Sequence, residues 1–129
     1  MAFPLNVTVA SAVRTAVGRA NKGALKHTRP DDLAAAAMQA AVDRVDGLDA
    51  ARIDDVILGC AMPEGEQGLN IARNAVFLTN IPHSVPGETI NRFCASGLEA
   101  VNMAANQVRG GAGNGFIAGG VESMSRVPM

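Results

Sequence analysis

The chain has 129 residues and is nearly half apolar, enough for one modest domain with a real core, which excludes a disordered chain. A net charge of −1 excludes a nucleic-acid footprint over the whole chain, and no stretch is long and apolar enough to span a bilayer. The two cysteines, Cys60 and Cys94, sit in no CxxC pair and the two histidines, His27 and His83, lie far apart, so neither a disulfide framework nor a metal site is expected.

In chain order, Leu5–Ala10 alternates apolar and polar residues and predicts a half-buried strand. Five basic residues (Arg14, Arg19, Lys22, Lys26, Arg29) precede Asp31 with no acid among them, whereas the remainder carries six basic and twelve acidic residues. An acid-free start containing arginine also fits a mitochondrial transit segment, but the alternation favours a folded strand. With no export signal, reduced thiols in the cytoplasm are the expectation and mitochondria the alternative. Residues 11–29 read as a solvated loop.

Pro30-Asp31-Asp32 then starts a helix: proline suits the first turn, and two carboxylates complement the positive end of the dipole. Met38, Val42 and Val45 recur at helical spacing through Leu33–Val45, Gly47 ends the helix, and Leu48–Arg52 forms a connecting turn. Val56–Cys60 is a continuous apolar run that fits a strand covered on both faces. A loop over Met62–Leu69 leads to a helix over Asn70–Thr79, Pro82 and Pro86 break the chain, and Glu88–Asn91 is a brief strand. Ala95–Arg109 is a third helix with Leu98, Val101, Ala105 and Val108 facing the core, closed by Gly110-Gly111. That glycine run has no Gly-Lys-Ser/Thr ending and does not open a helix, so a phosphate loop is a poor fit. A strand over Gly115–Ala118 follows, then an irregular end over Glu122–Met129. The order β-α-β-α-β-α-β predicts an α/β domain, a mostly parallel sheet layered with helices.

The stretch from Thr89 to Val101 carries the chemistry. A short strand delivers Cys94 into a tight turn, and a helix follows at once. The thiolate is the nucleophilic form of cysteine, and a helix N-terminus favours it through the dipole and free backbone N–H groups. Those N–H groups can also stabilise an oxyanion when sulfur attacks a carbonyl. Ala95, Ser96 and Gly97 leave room for substrate and for close packing. On the residues alone a second reading stays open, Cys94 as a small buried hydrophobe. Cys60 follows a buried strand and reads as core. His83, between Pro82 and Ser84, reads as an exposed loop histidine and not as a partner for Cys94.

Asn91-Arg92-Phe93-Cys94-Ala95-Ser96-Gly97-Leu98-Glu99-Ala100-Val101 resembles the acyl-enzyme signature of the thiolase family, in which the cysteine accepts the acyl group. Ala12–Gly18 resembles the family's opening strand and turn, Arg29–Leu33 the start of its first helix, Gly65–Asn74 the loop and helix that face a second subunit, and Gly119–Ser125 the segment leading into its loop domain. The resemblance implies a thiolase-like N-terminal α/β domain over 1–120, incomplete, with 121–129 beginning the loop-domain segment. It implies a 3-ketoacyl-CoA thiolase in which Cys94 takes the acyl group, acetyl-CoA leaves, and CoA removes the acyl group. Condensation of two acyl-CoA molecules by an acetyl-CoA acetyltransferase is the alternative. CoA and acyl-CoA are then substrates, with no cofactor held permanently. A homodimer or homotetramer in contact through Gly65, Gln67, Asn70 and Arg73 is implied, and the basic Arg14–Arg29 segment is a secondary candidate for CoA phosphates. The family's Gly-His-Pro and late Cys-x-Gly segments do not occur in these residues. That departure predicts no turnover by this chain alone, and points to a complementary C-terminal chain or to a non-catalytic docking fragment.

Overall fold

The computed structural model describes residues 7–128. Three helices, α1 (Pro30–Asp43), α2 (Ile71–Val76) and α3 (Ser96–Gly110), alternate with three strands, β1 (Asp55–Gly59), β2 (Gly87–Ile90) and β3 (Phe116–Gly120). The strands form one parallel sheet in the order β2-β1-β3. Leu58 pairs with Thr89 on one side and Gly119 on the other, which brings the C-terminal ends of all three strands to one edge.

Alternation along β1 divides the core into two layers. Val56 and Leu58 pack with Ala34 and Met38 of α1 and with Ile71, Ala72, Ala75 and Val76 of α2. Ile57 points the other way, against Ala100 and Ala104 of α3. The sheet is thus covered on both faces, as the apolar run in β1 predicts.

The first turn of α1 is held by charge. Arg29 donates from Nε and Nη2 to the Asp31 carboxylate at 3.0 and 2.8 Å, and its Nη1 lies 3.6 Å from Glu66. Arg126 grips the same Glu66 carboxylate with two donors, which holds Glu66 below the usual carboxylate range. These side chains tie α1, the 3₁₀ turn Gly65–Gln67 and the chain after β3 into one body.

Three expectations are corrected. Of the strand expected over Leu5–Ala10, Leu5 and Asn6 lie outside the described residues, and 7–10 pair with no strand. The alternating pattern supplies a half-buried face, but a strand also needs a backbone neighbour at ladder distance. Residues 9–20 instead line a cavity of about 660 Å³ across from α1 and β3. The observed order is therefore α-β-α-β-α-β, still α/β with a parallel sheet. Next, α2 stops at Val76, where the Thr79 hydroxyl donates to the Val76 carbonyl at 2.8 Å and Thr79 N–H bonds the same oxygen.

Finally, α3 buries a different stripe from the one its large residues suggest. Ser96, Ala100 and Ala104 face the sheet, while Leu98 is 68% exposed and Val101 42% exposed. The reason is the glycines at the strand ends. A Cβ on Gly59 would collide with the backbone of Ser96 and Gly97, and one on Gly120 would sit 3.0 Å from Gly97 Cα. Helix and sheet approach too closely for leucine or valine between them, so the small stripe turns inward.

Two glycine substitutions separate this contact from glycine content in general. Gly59→Ala should destabilise the fold by about 2 kcal/mol or more, in the range of core overpacking. Gly110→Ala, a helical position with nothing near its added methyl, should stabilise by roughly 0.5–1 kcal/mol. Urea midpoints of the two variants check both signs.

Candidate functional site

The chain leaves β2 at Ile90 and must reverse into α3 within five residues. Phe93 takes φ +48°, a left-handed conformation that costs a bulky residue on the order of 1–2 kcal/mol. Four hydrogen bonds offset that strain. Arg92 N–H donates to Ser96 Oγ at 2.8 Å, and the same hydroxyl donates to Phe93 O at 2.6 Å. Ala95 N–H donates to Arg92 O at 3.1 Å, and Ser96 N–H to Phe93 O at 3.0 Å. Ser96 is buried, so its hydroxyl works as an internal clip across the turn.

Cys94 follows the strained residue and is exposed. The buried-hydrophobe reading is thereby corrected, because the turn carries the thiol outward. The helix proper begins at Ser96, with Ala95 as its N-cap, so Cys94 precedes the first helical residue by two positions. Of the N–H groups near the helix start, those of Ala95 and Ser96 are committed to backbone carbonyls. Across the turn, Arg92 Nε lies 3.3 Å from Glu99 Oε1.

Cys60 is fully buried at the end of β1, as its sequence position suggests. Burial, reinforced by the nearby Glu122 carboxylate, pushes its thiol up to about 11. His83 is exposed, with its ring edge-on to Phe77 at 4.9 Å between centroids.

The four residues expected to contact a partner divide. Gly65 is exposed, at φ +57°. Asn70 caps α2, accepting from Arg73 N–H at 3.1 Å and donating to Gly87 O at 2.7 Å. The Arg73 guanidinium donates to the carbonyls of His83 and Val85 and lies over the Phe77 ring. Gln67 is 0% exposed and cannot reach a partner in this conformation. Its amide donates to Met62 O at 2.7 Å and to Glu122, and its oxygen accepts from Ser123 N–H at 2.9 Å. A polar side chain is turned inward here because three groups inside can satisfy it.

Glu122, Gln67 and Asn91 form a polar assembly that sequence reasoning does not find. Glu122 accepts from the N–H groups of Ala61 and Met62 at 2.7 and 3.2 Å. Asn91 donates to Ala61 O at 3.0 Å and accepts from Phe93 N–H at 2.8 Å. Apart from the local Asn91–Phe93 bond, the partners are separated by 30 to 61 positions, a distance over which neither periodicity nor spacing carries a signal.

Comparison with known proteins bears on the family and the fold. The family model described as "Thiolase, N-terminal domain" matches residues 7–129. A 3-ketoacyl-CoA thiolase of Bacillus subtilis is 50% identical over 121 residues, which cover 94% of this chain and 31% of that one. A 3-ketoacyl-CoA thiolase of Chromohalobacter salexigens is 46% identical over 126 residues, 98% of this chain and 32% of that one. Among solved structures, the acetyl-CoA acetyltransferase of Bacillus anthracis superposes with a TM-score of 0.86 at 39% identity, covering 93% of this chain and 30% of that one. The chain therefore spans about a third of the length of the curated relatives it matches.

The two thiols should differ in reactivity, since Cys94 is exposed and Cys60 buried. Peptide-resolved alkylation of the native chain at pH 7.5 should mark Cys94 and spare Cys60. Between pH ~9 and ~11 the folded state retains the Cys60 proton while the unfolded state loses it, so stability should fall across that window. Urea midpoints measured from pH 8 to 10.5 check the slope, which Cys60→Ala should flatten.

Proposed function

The chain belongs to the thiolase family, whose N-terminal domain it matches, and from that premise we propose that Cys94 is the acyl-accepting nucleophile of a thiolase-type acyltransferase. The observation that carries the reading is the turn itself: an exposed thiol follows a residue held in a strained left-handed conformation at a strand-to-helix reversal. Backbone strain of this kind persists only where surrounding structure enforces it, and it clusters at functional sites.

The proposed substrate is a 3-ketoacyl-CoA. The Cys94 thiolate forms a bond to the keto carbon C3, and the C2–C3 bond breaks. Its electron pair leaves with C2, which takes up a proton to give acetyl-CoA. The thiol of a second CoA, deprotonated, then attacks the thioester carbon. The sulfur–carbon bond to Cys94 breaks, and the thiolate is restored as a shortened acyl-CoA departs. Two smaller barriers replace one large one, and ping-pong kinetics follow. In this scheme CoA and its thioesters are substrates, and no resident cofactor is required.

The proton donor for C2 and the base for Cys94 are proposed to lie outside these residues. Neither Cys60 nor His83 is suited to those roles: Cys60 is buried with a raised pKa, and His83 packs on Phe77. Residues 121–129 are read as the start of the segment leading to the loop domain, and a complementary C-terminal portion as the source of the missing groups. A subunit contact through residues 65–74 would use Gly65, Leu69 and Asn74, which face outward, and not Gln67. The degradative direction is favoured by relatives named 3-ketoacyl-CoA thiolase. The condensing direction draws on the structural match named acetyl-CoA acetyltransferase.

Incubation of the chain with a 3-ketoacyl-CoA should leave an acyl adduct, mapped by mass spectrometry to Cys94 and abolished in Cys94→Ala. Steady-state release of acetyl-CoA in the presence of CoA should be undetectable. An unmodified Cys94 at millimolar substrate would favour the docking fragment instead, and sustained turnover would show that the proton-transfer groups are present after all.

A further inference from the structure

The Cys94 turn is held from outside by a side chain that touches neither the turn nor the thiol. We infer that Glu122 is a positioning residue for Cys94, acting through the Ala61–Met62 peptide group and the Asn91 side chain; the inference rests on the reading of Cys94 as nucleophile. The two ends of one peptide unit are engaged. Its N–H, on Met62, donates to Glu122 Oε1 at 3.2 Å, and its C=O, on Ala61, accepts from Asn91 Nδ2 at 3.0 Å. Asn91 Oδ1 in turn accepts from Phe93 N–H at 2.8 Å. Phe93 is the left-handed residue immediately before Cys94.

A chain of hydrogen bonds sharing one amide is cooperative: a carboxylate on the N–H polarises the carbonyl and strengthens the bond it accepts. The placement of Glu122 suits that role. Glu122 is an exposed residue, yet its carboxylate is turned onto the 60–67 segment. Oε2 accepts from Ala61 N–H at 2.7 Å, Oε1 accepts from the Gln67 amide, and Cys60 Sγ lies 3.7 Å away. No arginine, lysine or histidine forms an ion pair with it among the described residues. Gln67 closes the assembly from behind, donating to Met62 O and accepting from Ser123 N–H, so the loop at 60–62 cannot slide along the carboxylate.

A glutamine at 122 presents an N–H₂ where the site offers only donors, so one of the two backbone N–H groups is left without its acceptor. With Met62 N–H held less strongly, the Ala61 carbonyl is less polarised, its bond from Asn91 Nδ2 weakens, and so does the hold of Asn91 on Phe93 N–H.

The test uses the 129-residue chain and iodoacetamide as probe. In Glu122→Gln the native-state alkylation rate of Cys94 at pH 7 should fall roughly two- to fivefold, the scale of weakening one hydrogen bond in the chain that holds its turn. The Phe93 amide proton should shift upfield and exchange faster, while amides at the centre of β1 keep their protection. In an Asn91→Ala background the Glu122→Gln change should add nothing to either readout, because the link is already cut. A lowered urea midpoint with unchanged Cys94 rate and Phe93 resonance would reduce Glu122 to a structural residue and overturn the inference. So would additive effects of the two substitutions. If Glu122→Gln does not fold, Glu122→Asp, which keeps the charge but withdraws it from Met62 N–H, is read by the same two measures. Failure of the parent chain to form an acyl adduct from 3-ketoacyl-CoA would sink the functional reading alone, since alkylation and the Phe93 amide still decide the positioning.

Discussion

The backbone-to-backbone approach of α3 to the ends of β1 and β3 is the constraint from which the rest of the site follows. Gly59 and Gly120 on the strands meet Ser96 and Gly97 on the helix with no side chain between them. That contact fixes where α3 begins, and so fixes how far the chain has to travel from Ile90. Five residues must make the reversal, and one of them, Phe93, pays for it in left-handed geometry. Were the helix held off by a layer of valine or leucine, the turn could relax, and Cys94 would lose its fixed place beside the helix start.

Two kinds of interaction then compete at the turn. Strain at Phe93 is worth on the order of 1–2 kcal/mol against the native turn. Ranged against it are the Ser96 hydroxyl clip, two backbone bonds and the Asn91 cap on Phe93 N–H, each contributing on the order of 1 kcal/mol net. Hydrogen bonding wins, but by a margin small enough that each clip matters. The Arg92–Glu99 pair contributes least, since both side chains reach solvent.

Much of the fold was legible because it rests on local signals. Pro30-Asp31-Asp32 marks the start of α1, Val56–Cys60 marks a covered strand, and Gly111 closes α3 at φ +75°. The misreadings share a physical cause: each depends on what lies across from the residue, which no single segment encodes. Leu5–Ala10 has a strand's alternation but, over 7–10, no ladder neighbour. Leu98 and Val101 have the hydrophobicity of a core stripe, yet the helix turns its alanines inward because Gly59 and Gly120 lie opposite. Gln67 reads as a loop amide and is buried because Met62, Ser123 and Glu122 converge on it. The strand-to-helix turn at Cys94 is legible because strand, small residues and helix start are contiguous; the side chains that pack around it from a distance are not.

The architecture also explains how the Cys94 turn can be fully formed in a segment that holds a third of its relatives' length. Placing a thiol demands rigidity, and rigidity here comes from contacts internal to the domain: the glycine approach, the buried Ser96 and the hydrogen bonds around residues 60–67. Moving protons demands groups that face the substrate from the opposite side, which a single strand-to-helix turn cannot also supply. The strained turn carries its sulfur outward, toward solvent. The fixed place of Cys94 is thus a property of this domain, set by the glycine approach, the buried Ser96 and the hydrogen bonds of the turn.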